Sequence, residues 1–245
     1  VTLGIVVNHT PWKPERVRAL DAMLVELLRT DNTVELHDAD YRGHPDGWQG
    51  GAKSAWVLAG WMVALDHDVD HHLFLTDDLH LAPDFVRCVE TLVEVVGDEA
   101  PIGLLSNHPD AHDLCSDGLR WYATNSWLTG PAYILSHRML EHIVEAYEAL
   151  PTEQKIGPAS WNDDNFVNYY VTYHGGGRTL HTLPGLVEHR ADVESTVGHG
   201  DAYSRERVSW RRPWTWDVSR FTDAAFWRDR GGPKYAPMLQ LPKGP

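Results

Sequence analysis

Short apolar runs alternate with amphipathic stretches through the first half of the chain. Leu3–Val7 is apolar on both faces and predicts a buried strand, ending at Asn8-His9-Thr10. A helix is expected from about Pro14, where Val17, Leu20, Leu24, Leu27 and Leu28 recur at helical spacing. Thr33–Leu36 suits a second strand, and the glycine-rich segment 37–51 suits an irregular loop. A second helix from about Ala52 to Leu65, a strand at Leu73–Leu75, a helix over Asp84–Val96 and a strand at Ile102–Leu105 continue the alternation. Strands and helices in this order predict a three-layer α/β/α sandwich around a mostly parallel sheet.

Beyond Ser106 the pattern loosens. Residues 107–128, rich in His, Asp, Ser and Trp, read as loops over the functional edge of the sheet. Ala132–Leu135 reads as a strand, with Ser136 capping a helix that carries Leu140, Ile143, Val144 and Tyr147. Trp161-Asn162-Asp163-Asp164-Asn165 opens a further helix through Tyr170, and two short strands are expected near Thr179–Leu183 and Leu186–Glu188. The chain after about Ser195 is basic, aromatic and punctuated by proline. Residues 1–200 are therefore expected to form one domain, with 201–245 as an extension lying on it.

The length, 245 residues, suffices for a full α/β core. A net charge of -14 argues against a nonspecific binder of polyanions, although residues 201–245 hold nine Lys/Arg against five Asp/Glu. The two cysteines, Cys88 and Cys115, have neither metal-binding spacing nor the density of a disulfide framework. No apolar run reaches bilayer length. A reducing, cytoplasmic setting is the expectation.

Reactive polarity concentrates in four places. The strand His72-Leu73-Phe74-Leu75 ends in Thr76-Asp77-Asp78-Leu79-His80, where strand ends of parallel sheets gather function. An extended backbone there would direct Asp78 and His80 to one face and Asp77 to the other, a geometry suited to a divalent cation bridging to an anionic substrate. The plainer reading makes Asp78 a cap for the next helix and His80 a solvated residue. Asp163 and Asp164, at a helix start, can accept or orient a substrate proton, or serve only as caps. His189 closes an apolar strand and can bring an imidazole to a site opened by Asp78. Such an oxygen and imidazole set favours Mn²⁺ or Mg²⁺ over structural zinc. Lys53, after the glycine-rich segment, can neutralise a phosphate, though no phosphate-loop pattern surrounds it.

In their order these segments resemble the sugar-nucleotide-dependent glycosyltransferases of the GT-A fold, in particular small enzymes with a DXD-like motif written Leu-x-Asp-Asp. The matching segments are Asn8-His9-Thr10, Lys53, Phe74-Leu75-Thr76-Asp77-Asp78 with Leu81-Ala82-Pro83-Asp84-Phe85 after it, Gly130-Pro131-Ala132-Tyr133-Ile134-Leu135-Ser136, Trp161-Asn162-Asp163-Asp164, and Leu183-Pro184-Gly185-Leu186-Val187-Glu188-His189 with Ser195 and Gly198 beyond. The likeness covers roughly residues 1–200. It departs at Thr76, where such enzymes often carry an acid, and at His80, an extra metal ligand or an acceptor contact.

The resemblance implies a nucleotide-diphosphate sugar held by Asn8, His9, Thr10, Lys53, Asp77, Asp78 and Ser195. It implies Mn²⁺ or Mg²⁺ on Asp78 and His189, joined by His80, which lowers the charge on the leaving diphosphate. Asp163 or Asp164 would act as base in an inverting reaction or orient the acceptor in a retaining one. The loops at 37–51 and 107–128 would exclude water. Tryptophans and arginines interleaved from Tyr203 to Arg230 are compatible with a saccharide acceptor and make an exposed DNA base conceivable. In a structural alternative those tryptophans only fasten the extension to an acidic body. Competing functions are a nucleotidyltransferase, a metal-dependent hydrolase, or a nucleotide-sugar or nucleic-acid binding module without turnover.

Overall fold

The computed structural model describes residues 1–38, 51–106, 108–125, 130–151, 166–167, 170, 178–190, 192–193 and 214–239, with the side chains of 51–55 and 218 left aside. The chain runs β1 (Leu3–His9), α1 (Pro14–Leu27), β2 (Thr33–Asp38), α2 (Gly51–Leu65), β3 (His71–Thr76), β4 (Leu79–Leu81) and α3 (Phe85–Val96). It continues with β5 (Ile102–Gly103), α4 (Ala111–Ser116), β6 (Trp121–Thr124), β7 (Ala132–Ser136), α5 (His137–Glu148), β8 (Thr179–Thr182) and β9 (Val187–His189). Short helical turns over Val218–Phe221, Ala224–Arg228 and Asp229–Tyr235 follow.

Seven strands form one sheet in the order β2-β1-β3-β7-β5-β8-β6. Among them β1, β2, β3, β5 and β8 share one direction, and β6 and β7 oppose it. The architecture is thus the mixed, mostly parallel three-layer α/β sandwich expected of the sequence. Strand alternation makes the layers. Leu3, Ile5, Val7, Leu73 and Leu75 face a core shared with α1 and α3. Val6, Phe74, Tyr133 and Leu135 face the other way, toward α2 and α5. On that second face the Trp61 indole donates to the Tyr133 hydroxyl at 2.9 Å, so two large polar-tipped rings satisfy one another inside the core.

Helix α1 begins at Pro14 as anticipated, but its buried row is Arg16, Ala19, Leu20, Met23 and Leu27. Val17, Val25 and Leu28 are exposed. The stripe is rotated by one position from the expected one, because a cation rather than an aliphatic residue starts it. Ser136 caps α5 as expected, its hydroxyl accepting from the Met139 amide at 3.2 Å. Asp84, at the head of α3, makes no side-chain cap. Glu26 of α1 instead accepts from the Phe85 amide at 3.0 Å and ties the two helices together.

The stretch expected to be loop at 107–128 is structured over 108–125. It contains α4 and the fully buried β6, which pairs antiparallel with β8. Polar and aromatic composition concealed a strand whose four residues are all covered. Part of the cover comes from residues late in the chain: the Trp121 indole donates to the Trp227 carbonyl at 2.7 Å, and the Trp227 indole to the Phe221 carbonyl at 2.7 Å. Trp227 is wholly buried and, with Phe221, belongs to the main core. The Leu239 amide donates to the Ala123 carbonyl at 2.8 Å, and Met238 bridges to Ala123 beside β6. No helix among the described residues is long and apolar enough to cross a membrane.

Candidate active site

Strands β1, β3, β5 and β8 all end at one edge of the sheet, where open α/β sheets gather ligands. Beyond that edge β4 and β9 form a two-stranded antiparallel ribbon, pairing Leu79 with His189, His80 with Glu188 and Leu81 with Val187. The Arg190 amide donates to the Asp78 carbonyl at 2.9 Å. The ribbon is therefore the device that brings a late histidine to an early acid. His189 Nδ1 lies 3.6 Å from Asp78 Oδ2, an ion-pair distance rather than a hydrogen bond.

After Thr76 the chain bends instead of continuing extended, so Asp77 and Asp78 do not point to opposite faces. Both carboxylates meet the guanidinium of Arg16, itself buried on the first turn of α1. One terminal nitrogen of Arg16 donates to Asp77 and the other to Asp78 Oδ2 at 2.8 Å. Two buried acids side by side would repel strongly, and a shared planar cation offsets that cost.

Asp77 has no solvent-accessible surface. Besides Arg16, its carboxylate receives the Thr10 amide at 2.7 Å and contacts His9 Nδ1 at 2.8 Å. It thereby fixes the turn from β1 into α1, with His9 Nδ1–H as the donor in this arrangement. Asp78 is oriented by the Thr76 hydroxyl, which donates to its Oδ1 at 2.6 Å. The threonine found where an acid is frequent is thus a donor that aims the neighbouring acid. Asp78 is no helix cap. Burial alone would raise its pKa; His189, Arg16 and the Thr76 hydroxyl outweigh burial and hold it well below the usual carboxylate range.

Asn8, the last residue but one of β1, is also buried, and its Oδ1 finds no hydrogen-bond donor among the described residues. Gly60 of α2 permits this approach, since a Cβ there would stand 3.3 Å from Asn8 Oδ1 and 3.0 Å from the His37 ring. His37 in turn stacks on Trp56 at 5.5 Å between ring centroids. On the opposite flank Gly185 separates β8 from β9. A Cβ at that position would meet the Ser106 amide at 2.9 Å, so the ribbon reaches Asp78 only with glycine there. Trp216 donates to the Gly185 carbonyl at 2.9 Å, and Trp214 stacks on His112 at 3.9 Å while its amide donates to Glu188. Trp214, Trp216 and Trp227 are thus engaged in packing.

Of the residues singled out in the sequence, Asn8, His9, Thr10, Asp77, Asp78 and His189 lie together at this edge. His80 lies exposed on β4; its imidazole is shifted down by partial burial and by Arg190, with Asp192 opposing, and not by Asp78. Asp163, Asp164 and Ser195, and the side chain of Lys53, lie outside the described residues. Phe166, Val167 and Tyr170, just after the acidic pair, are buried in the core on the α2 and α5 face. Arg16 and Thr76 are the contributors that the sequence reading missed. The signal for Arg16 was its place in the row 16-20-23-27, which reads as core apart from its first member.

One carboxylate and one imidazole are donors that Mn²⁺ and Mg²⁺ accept. Among the described residues no group of three or more His, Cys, Asp or Glu is placed to hold a metal ion. Asp78 and His189 are the residues at this edge that could hold such a cation.

No protein-family model matches this chain, and no curated protein matches it. Among solved structures it is similar to a glycosyltransferase involved in glycosylation of the major capsid of PBCV-1. That match has 13% identity, spans 84% of this chain and 98% of the other, and has a TM-score of 0.43. It is also similar to a Drosophila β-1,4-galactosyltransferase 7 mutant in complex with manganese, UDP-Gal and xylobiose. Here identity is 16%, coverage 89% of this chain and 79% of the other, and the TM-score 0.43.

Proposed function

We propose that this chain is a metal-dependent glycosyltransferase that moves a sugar from a nucleoside-diphosphate sugar to a hydroxyl of a saccharide acceptor. The observation that supports this most is the ribbon-borne meeting of Asp78 with His189 beside the end of β1 and the start of α1. An acidic strand end, a late histidine and a helix start at one sheet edge form a cradle for a diphosphate and its counter-cation. The ordered motifs of the sequence support the same reading.

In this reading Asp78 and His189 hold Mn²⁺ or Mg²⁺. When bound, such an ion supplies positive charge against the departing nucleoside diphosphate. The residues around it do the positioning. Thr76 aims Asp78, and Asp77 holds His9 and Thr10 where β1 ends. Asn8 offers a buried acceptor for a donor N–H of the nucleotide, since a group entering there satisfies an oxygen otherwise costly to bury. Lys53 and Ser195 contact the donor, and Asp163 or Asp164 faces the acceptor hydroxyl as base or as orienting group. A saccharide acceptor is favoured over a DNA base because Trp214, Trp216 and Trp227 are occupied within the fold rather than offered for stacking.

The test is a screen of nucleoside-diphosphate sugars for release of nucleoside diphosphate with Mn²⁺, with and without saccharide acceptors. Acceptor-stimulated release from one donor is the expected result. Failure of every donor to bind, with or without metal, would overturn the reading; equal release without any acceptor would make the chain a hydrolase.

A further inference from the structure

The guanidinium of Arg16 stands where two carboxylates converge, and this has a meaning beyond holding the fold. Asp78 Oδ2, the oxygen nearest His189, already accepts from Arg16 at 2.8 Å. Asp78 Oδ1 already accepts from Thr76 at 2.6 Å. A divalent cation approaching Asp78 thus meets a carboxylate with one lone pair engaged on each oxygen and a fixed positive charge on the nearer one. Arg16 has little freedom to withdraw, because its other terminal nitrogen is bound to the inaccessible Asp77, which is pinned in turn by His9 and Thr10.

Resting on the metal-binding part of the proposed function, we propose that Arg16 is the resident cation of the acidic pair and competes with a divalent ion for Asp78. Its charge is permanent, since guanidinium does not lose its proton in proteins. Competition between like charges at such short range, in a buried site with weak screening, is strong. The arrangement keeps Asp78 neutralised when no substrate is present. It leaves the protein alone with low affinity for Mn²⁺, so stable cation binding requires the additional oxygens of a diphosphate.

The experiment measures binding of Mn²⁺ alone, by the loss of the free-ion electron paramagnetic resonance signal, to the wild-type chain and to Arg16→Met, Arg16→Gln and Arg16→Lys. Removing the charge should tighten Mn²⁺ binding about tenfold or more, and Arg16→Gln should do the same while keeping a donor for Asp77. Arg16→Lys, which retains the charge, should remain within about threefold of wild type. Adding Asp78→Asn to a neutral variant should abolish the gain, placing it at that carboxylate. Circular dichroism of each variant selects those that are folded, and either neutral variant suffices. Equal affinity in wild-type and neutral variants, with Mn²⁺ binding intact, would overturn the competition and leave the proposed function standing. Absence of Mn²⁺ binding in the neutral variants would overturn the competition, and absence of Mn²⁺ binding to wild type even with a nucleoside diphosphate present would overturn the metal-binding reading as well.

Discussion

His72 should make this protein measurably acid-sensitive, and the size of the effect follows from its surroundings. It lies on β3 with no accessible surface, its Nε2 3.0 Å from His137 Nδ1 and its ring beside Phe74. Burial first, then the neighbouring His137, His67 and His71, pull its pKa from 6.5 down to about 3. The folded chain therefore keeps this imidazole neutral while the unfolded chain protonates it below about 6.5. A group whose folded pKa is depressed contributes stability that is fully present above the unfolded value and is lost as pH falls through it. Between about pH 8 and pH 5 the loss from this one residue is about 2 kcal/mol. The comparison is urea unfolding of wild type and His72→Phe across that range. The difference between the two curves reports what His72 adds to the pH dependence. The wild-type curve should fall more steeply, by about 2 kcal/mol over the interval. Parallel curves would refute the claim that the buried imidazole is held neutral by the fold.

Trp227→Ala should cost about 3–5 kcal/mol and lower the melting temperature by about 10 °C, because a wholly buried indole and its hydrogen bond to the Phe221 carbonyl are lost; a change under about 1 kcal/mol would show that this late tryptophan does not stabilise the fold. Thr76→Val keeps the shape but removes the donor to Asp78 and should weaken Mn²⁺-dependent donor binding by about tenfold, measured by calorimetry. Asp78→Asn should lower donor binding and turnover together in a nucleoside-diphosphate release assay, and retention of both would remove Asp78 from the site. Asp163→Asn and Asp164→Asn should spare donor affinity while at least one reduces turnover, and a large loss of donor affinity would contradict an acceptor-side role.

The layered fold was legible because strand and helix periods are cleanly written from β1 to α3 and again through β7 and α5. The edge where β1 and β3 end was legible for the same reason: polar residues interrupt apolar runs abruptly at Asn8 and at Asp77. What escaped depends on contacts distant in sequence. Arg16 stands in register with Leu20, Met23 and Leu27, but its charge takes it out of any apolar stripe, and only the two acids just after β3 make burial of that guanidinium favourable. The strand β6 carries Trp, Tyr, Ala and Thr in a polar neighbourhood, and part of its coverage comes from Trp227, more than a hundred positions later. The expectation that Asp77 and Asp78 diverge assumed an extended backbone, whereas the chain bends as soon as it leaves the sheet.

The β4–β9 ribbon also carries a consequence for how the molecule comes into being. Its two strands lie more than a hundred residues apart in sequence, and closing so long a loop is among the slower events available to a chain. During synthesis the acidic turn and Arg16 emerge early and can pair with each other, while His189 follows only after β7, α5 and β8 have been made. The early half of the site is thus made well before the late half. Chains cut short before His189 would hold Arg16 and Asp78 but lack the imidazole that the ribbon brings to them.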